Sequence, residues 1–318
     1  STDLLGFPLP PAPSFTNYFF GWHPEWFVLT LTLLAASGYT IGLIRLKQNE
    51  IKWSPLRSTS FFIGISLVIW ATCAGISRYA MVSFSAHMIQ HMLLSMLAPI
   101  FLVLSAPITL ALRALPSTSA TEHRNTRGWL LAILHSRYLK IVTAPLFVLF
   151  LFTVGLYGVY FTSLFSTLMA SHSGHIFMEL HFLFTGLLFT FVVIGIDPSP
   201  NRIQHWARML LVLVALSIHA FFAIALMQSA SPIGNEWYSQ VRPPWIDNPL
   251  NDTTTAGGIA WALGEVPTLL LMVIVAIQWS KDDSRRAKQF DRAADRDGDA
   301  LLNEYNKNLA RLNQRDAE

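Results

Sequence analysis

The stretch SAHMIQHMLL, residues 85–94, places two imidazoles and two thioethers in an otherwise oily segment. His87 and His91 are four residues apart, so on a helix they stand one turn apart on one face. Neutral imidazoles paired away from water are above all metal donors, because each ring carries a nitrogen lone pair. More histidines follow at His172, His175, His181 and His219, and carboxylates at Glu179 and Glu265. Met88, Met92 and Met96 run along the first segment, and Met169 and Met178 flank the histidines of the second. Imidazole with thioether nearby suits copper in both oxidation states, the thioether favouring Cu(I). A hard cation wants more carboxylates, and structural zinc wants a cysteine cluster. The single cysteine, Cys73, can form neither a cluster nor a disulfide within the chain.

The same residues have plainer uses. A transmembrane histidine can simply hydrogen-bond a neighbouring helix. Methionine fills gaps in a core, and His172 and His175 could be solvated loop residues. Which use applies depends on what surrounds them.

The 318 residues are 53% hydrophobic and only 13% charged, with a mean hydropathy of +0.43. That is too apolar for a soluble domain, where charged residues run near 25%. Apolar runs long enough to span a bilayer make this an all-α, polytopic membrane protein surrounded by lipid. Hydropathy predicts a seven-transmembrane-helix bundle, with spans at about 25–44, 59–81, 86–112, 139–165, 170–196, 207–229 and 256–279. The layout is then a Pro-rich extended linker over 1–24, a membrane domain over 25–279 and a charged tail over 280–318. The net charge of +3 does not call for nucleic acid, because Lys and Arg in such a protein mark the cytoplasmic side. All of the 22 except Arg78 and Arg242 fall in the first, third and fifth connections or in the tail. The N-terminus is therefore outside and the C-terminus cytoplasmic. The chain starts at Ser1 with no signal-like segment before the first span, which reads as a removed leader or as the downstream part of a longer chain.

With that orientation, His87 and His91 open the third span from the outside. His172, His175 and His181 lie at the outer end and outer third of the fifth span. His219 lies past the middle of the sixth, and Glu265 more than two turns into the seventh. These groups share the outer half of the membrane, where ionisable side chains are costly and face a bundle interior or a water-filled cavity. His23 lies near the outer surface, whereas His123, His135 and His205 fall on the cytoplasmic side. Two further motifs carry less. DRAADRDGDALLNE imitates a calcium loop around Gly298, but its first ligand position is Ala293, which cannot bind. The glycines of GGIAWALGEVP permit close helix approach, and Pro267 allows a kink near Glu265.

HMIQHMLL, ELHFLFTGLLF, RMLLVLVALSIHAFF and GGIAWALGEVPTLL, in that order, resemble the motifs of the caa3-type CtaG family of cytochrome c oxidase assembly factors. The resemblance runs from about the first span to the tail. It implies a seven-helix protein of the bacterial plasma membrane that is needed to make haem-copper oxidase, with copper delivery to the oxidase as its task. Its partners would be oxidase subunits and a copper-donor protein. Some members carry an upstream copper-resistance (CopD-like) membrane domain, and a place at the C-terminal end of such a CopD–CtaG fusion would account for the missing leader. Carried over by motif, the metal residues are His87, His91, His181 and His219, with Glu265 behind them. Glu265, His175, Glu179, Met88 and Met92 form a second tier. The expectation is a copper-binding assembly factor and not an enzyme. Its rivals are a metal-free scaffold for oxidase assembly and a haem-b electron carrier with axial histidines. A copper permease is disfavoured, because no matching polar set continues to the cytoplasmic side.

Overall fold

The computed structural model describes residues 2–116, 125–297 and 300–315. His123, Arg124 and Gly298 lie outside the described residues. The described residues form helices, with no strand beyond an isolated bridge between Trp22 and Ala74. In chain order the apolar helices are α1 (Trp26–Gln48), α2 (Pro55–Cys73), α3 (Phe84–Ala114), α4 (Pro145–Gly158), α5 (His172–Ile194), α6 (His205–Met227) and α7 (Pro249–Asp297). Six are long and apolar enough to cross a membrane, and α4 is shorter. The all-helical, multi-pass class is as the sequence predicts.

The fourth span is the one that falls short. Its hydropathy run divides, because Arg137–Val142 forms a short helix of its own. Pro145 then restarts the winding at the first helical turn, where its missing N–H costs nothing. α4 still joins the two sides of the bundle. Near its start, Asn201 donates to the Lys140 carbonyl at 2.5 Å and to Thr143 Oγ1 at 3.1 Å. Just past its other end, Tyr160 meets His87 at the outer end of α3. The second span also ends early. α2 stops at Cys73, and Gly75–Ala80 forms a separate helix, because Ala74 between them takes an extended backbone with ψ of −178°; beside it, a side chain on Gly75 would overlap the Asn17 carbonyl.

That contact belongs to the N-terminal segment, which is more than the linker expected. It forms two short helices, Thr2–Leu5 and Phe15–Phe20, and docks by the proline run between them. Carbonyls of an extended proline run have no internal partners. Here the Pro10 carbonyl accepts from Trp245 Nε1 at 3.0 Å, and the Pro11 carbonyl from the Tyr79 hydroxyl at 2.9 Å. Tyr18 stacks on Tyr79 with ring centroids 4.6 Å apart.

α3 is the axis of the site, and distant aspartates hold it at two points. Asp252, in the first turn of α7, accepts from the Phe84 backbone N–H at 2.6 Å and from Ser85 Oγ at 2.5 Å. A carboxylate at a helix N-terminus satisfies amides that have no partner inside the helix. Farther along, the helix breaks at Ala106, which takes a left-handed φ of 50° that L-residues rarely adopt. Asp197 caps the restart, accepting from the Ile108 and Thr109 amides at 3.2 and 2.9 Å.

α7 runs unbroken past residue 279 to Asp297, so the change from membrane span to charged tail is one of composition and not of secondary structure. Contacts divide the chain into two units, Ser1–Met272 and Val273–Glu318, the second holding the end of α7 and the helix Ala300–Arg315.

Candidate functional site

The winding of α3 changes within a few residues of its histidines. Ser83 caps the helix, accepting from the Ala86 amide, and α-helix runs to Met92. A π-helical segment, Leu93–Leu97, follows at once. A second π segment, Val154–Gly158, ends α4 just before Tyr160. π-bulges are rare and gather at functional sites, because the extra residue re-aims the side chains around it. Here both flank one buried layer.

His87 and His91 are 1% and 4% exposed, so both face the bundle interior as their spacing predicts. His87 Nε2 pairs with the Tyr160 hydroxyl at 2.9 Å. The His91 ring meets Phe182 edge to face, with centroids 4.2 Å apart. His219 comes in from α6, 3% exposed, against α7. It fits there because residue 264 is glycine: a Cβ would stand 2.5 Å from the imidazole Cε1. His181, on α5, is half-buried, with Nε2 3.3 Å from where a Cβ on Gly155 would lie. His87, His91 and His181 each lie against the Phe182 ring, and His219 lies against Phe222, which packs on Tyr160. The four imidazoles therefore share one aromatic layer drawn from three helices.

Several polar atoms in this layer are left without partners: Nδ1 of His87, Nδ1 of His91 and Nε2 of His219. A buried polar atom without a partner costs about 1–3 kcal/mol, and three in one layer demand a use. When His87 Nε2–H donates to Tyr160, its Nδ1 lone pair is free to bind a metal, the arrangement in which an outer partner fixes a ligand's tautomer. The donors fit copper in kind. They are not drawn into a coordination sphere: among the described residues, no group of three or more His, Cys, Asp or Glu is placed to hold a metal ion.

The second-tier residues separate. Met88 and Met92 are 0% and 2% exposed, each one residue past a histidine and so about 100° around the helix from it. They pack the core beside the layer. His175 and Glu179 are buried at the outer end of α5 and lie 3.8 Å apart, Nδ1 to Oε1. Gln90, between the two histidines of α3, donates to Glu179 Oε1 at 2.7 Å and to the Ala71 carbonyl at 2.9 Å. Glu265 does not join. It is exposed on α7, because the adjacent Gly264 takes the inward position and the next residue turns away.

The residues that motif reading passes over are Tyr160, Gln90 and Asp252. Gln90 left a trace, as an amide inside an apolar run beside a histidine. Tyr160 sits in the aromatic run GLYGVYF and looks like packing. Asp252 reaches Phe84 across 168 positions of sequence, and no local pattern announces that.

Residues 37–282 match the family described as cytochrome c oxidase caa3 assembly factor. Uncharacterized proteins of Mycobacterium bovis and Mycobacterium tuberculosis are each 37% identical over 312 residues, and one of Mycobacterium leprae is 36% identical over the same length. These matches cover 98% of this chain and 47% of each relative, so the chain spans about half the length of the curated relatives it matches. No solved structure matches it.

Proposed function

This chain belongs to the cytochrome c oxidase caa3 assembly factor family, and on that premise we propose that it serves the oxidase by holding copper in the outer half of the membrane and passing it on. It is a multi-pass protein of the bacterial plasma membrane. Copper is its cargo, taken from a donor protein on the outer side and given up to an oxidase subunit by exchange of ligands. His87, His91, His181 and His219 are the holding residues. Tyr160 positions His87, and Gly264 admits His219. The protein performs no catalysis of its own.

The observation that carries this proposal is the set of unpartnered imidazole nitrogens, His87 Nδ1, His91 Nδ1 and His219 Nε2, buried within one aromatic layer. Apolar packing alone gives no reason to bury three such atoms. One observation favours a metal-free scaffold instead, namely that among the described residues no three donors converge. The two separate in cells that lack this chain. Wild type restores assembled oxidase. The His87→Ala/His91→Ala variant, present in the membrane at the same level, does not. If the variant restores assembly fully, the protein is a scaffold.

A further inference from the structure

A second set of donors lies outside the histidine layer. At the outer end of α5 a cavity of about 110 Å3 is lined by His23, Glu25, His172, His175 and Glu179. The volume is enough for a few waters. Glu25 Oε2 stands 3.5 Å from His172 Nε2 at the rim, where the His172 side chain is 77% exposed and that of Glu25 15%. His175 and Glu179 form the inner wall, both more than nine-tenths buried. Two atoms there, His175 Nε2 and Glu179 Oε2, have no partner. Met81 and Met169 add thioethers to the lining.

The lining suits a cation. Two carboxyl groups and three imidazoles border one small space, and its buried donor atoms without partners, one imidazole nitrogen and one carboxyl oxygen, are satisfied by a metal ion or by its waters. His23 lines the same space, its ring edge to face with Phe7 at 4.8 Å. The donors are spread around the wall, and among the described residues no three converge. That suits an ion that keeps part of its water shell, not one fully coordinated by protein.

We propose that this cavity is an entry site for a partly hydrated transition-metal cation, with Glu25 and His172 capturing the ion at the rim and His175 and Glu179 receiving it inside. The mixture of imidazole, carboxylate and thioether selects a borderline or soft ion over magnesium or calcium. Glu179 is hydrogen-bonded to Gln90, which lies one residue from His91, so the inner wall abuts the histidine layer. As an entry to that layer the site rests on the copper proposal. As a cation site it stands alone.

The test uses the purified full chain in lipid nanodiscs and two probes, Cu(I) competed against a chelator and Co(II) followed by its visible spectrum. Wild type should show a tight and a weak class of site. Glu25→Gln/His172→Asn, two changes at the rim that leave the interior packed, should weaken the weak class at least tenfold and spare the tight one. Glu179→Gln, which keeps an acceptor for Gln90, should do the same. His87→Ala/His91→Ala should remove the tight class and keep the weak one. If the rim variant leaves both classes unchanged, the entry site is wrong and the copper proposal survives. If His87→Ala/His91→Ala removes nothing, the copper proposal fails, and loss of the weak class in the rim variant still upholds the entry site.

Discussion

α1 and α5 look alike as sequence and behave differently in the fold. Both are 23 residues long, with near-equal mean hydropathies of 1.9 and 2.0 over their most apolar stretches. Yet 22% of that stretch is buried in α1 and 56% in α5. What separates them is the use of their polar groups. Thr30, Ser37 and Thr40 of α1 each bond the carbonyl four residues back, so these groups are satisfied within the helix and can face lipid, while Tyr39 on its inner face donates to the Ser105 carbonyl at 3.1 Å. The polar groups of α5 look outward to neighbours: Glu179 to Gln90 of α3, and His175 to the outer cavity. In a membrane, where lipid is as apolar as leucine, interior faces are marked by polar side chains and glycines more than by hydropathy.

The glycines offer the strongest way to break that contrast. A side chain on Gly186 of α5 would overlap the Ser95 carbonyl in the π segment of α3 and crowd Pro99, whereas one on Gly38 of α1 meets nothing within 4 Å. Gly186→Ala should therefore destabilise by about 1–3 kcal/mol or more. Gly38→Ala should be neutral or stabilise by about 0.5–1 kcal/mol. Thermal unfolding in detergent reads both, and equal melting points would undo the distinction. Next in size is Glu179→Ala, which strips Gln90 of its side-chain acceptor and should cost about 1–3 kcal/mol. Ser37→Ala on α1 should cost a few tenths at most. A chemical-denaturation series that ranks these two in the reverse order would mean α5 is not the interior helix.

Smaller effects sharpen the comparison within the site. Tyr160→Phe removes the partner of His87 while keeping the ring, and should lower copper affinity about 10–100-fold with little loss of fold. Competition titration measures it, and unchanged affinity would leave Tyr160 a packing residue. Smallest of all, Glu265→Gln should leave both melting point and metal content at wild-type values, because the carboxylate is exposed on α7. Lost metal there would bring Glu265 back to the site.

Much of this was legible in advance, and the failures have physical causes. α1, α5 and α6 lie within a few residues of their hydropathy runs, because each is uninterrupted by proline or an outward turn. His87 and His91 were readable as inward-facing, since two costly groups at helical spacing can share only one sheltered face. The fourth span was overdrawn, because a hydropathy average passes over Pro145 and the short helix before it. The N-terminal proline run reads as an extended linker, and its docking is not legible, since nothing local shows that Trp245 and Tyr79 will take its carbonyls. Depth and motif together point to Glu265, and neither gives its angle. Depth fixes how far a residue lies along a helix but not around it, and Gly264 decides that angle.

The most direct test of the central claim is the metal content of purified wild type and His87→Ala/His91→Ala, prepared side by side, with an X-ray absorption spectrum at the copper edge. The account predicts copper in the wild type with nitrogen scatterers in its first shell, and its loss from a variant that melts at the same temperature. Equal copper in both folded proteins, or a wild type that takes up none when copper is supplied, would contradict it.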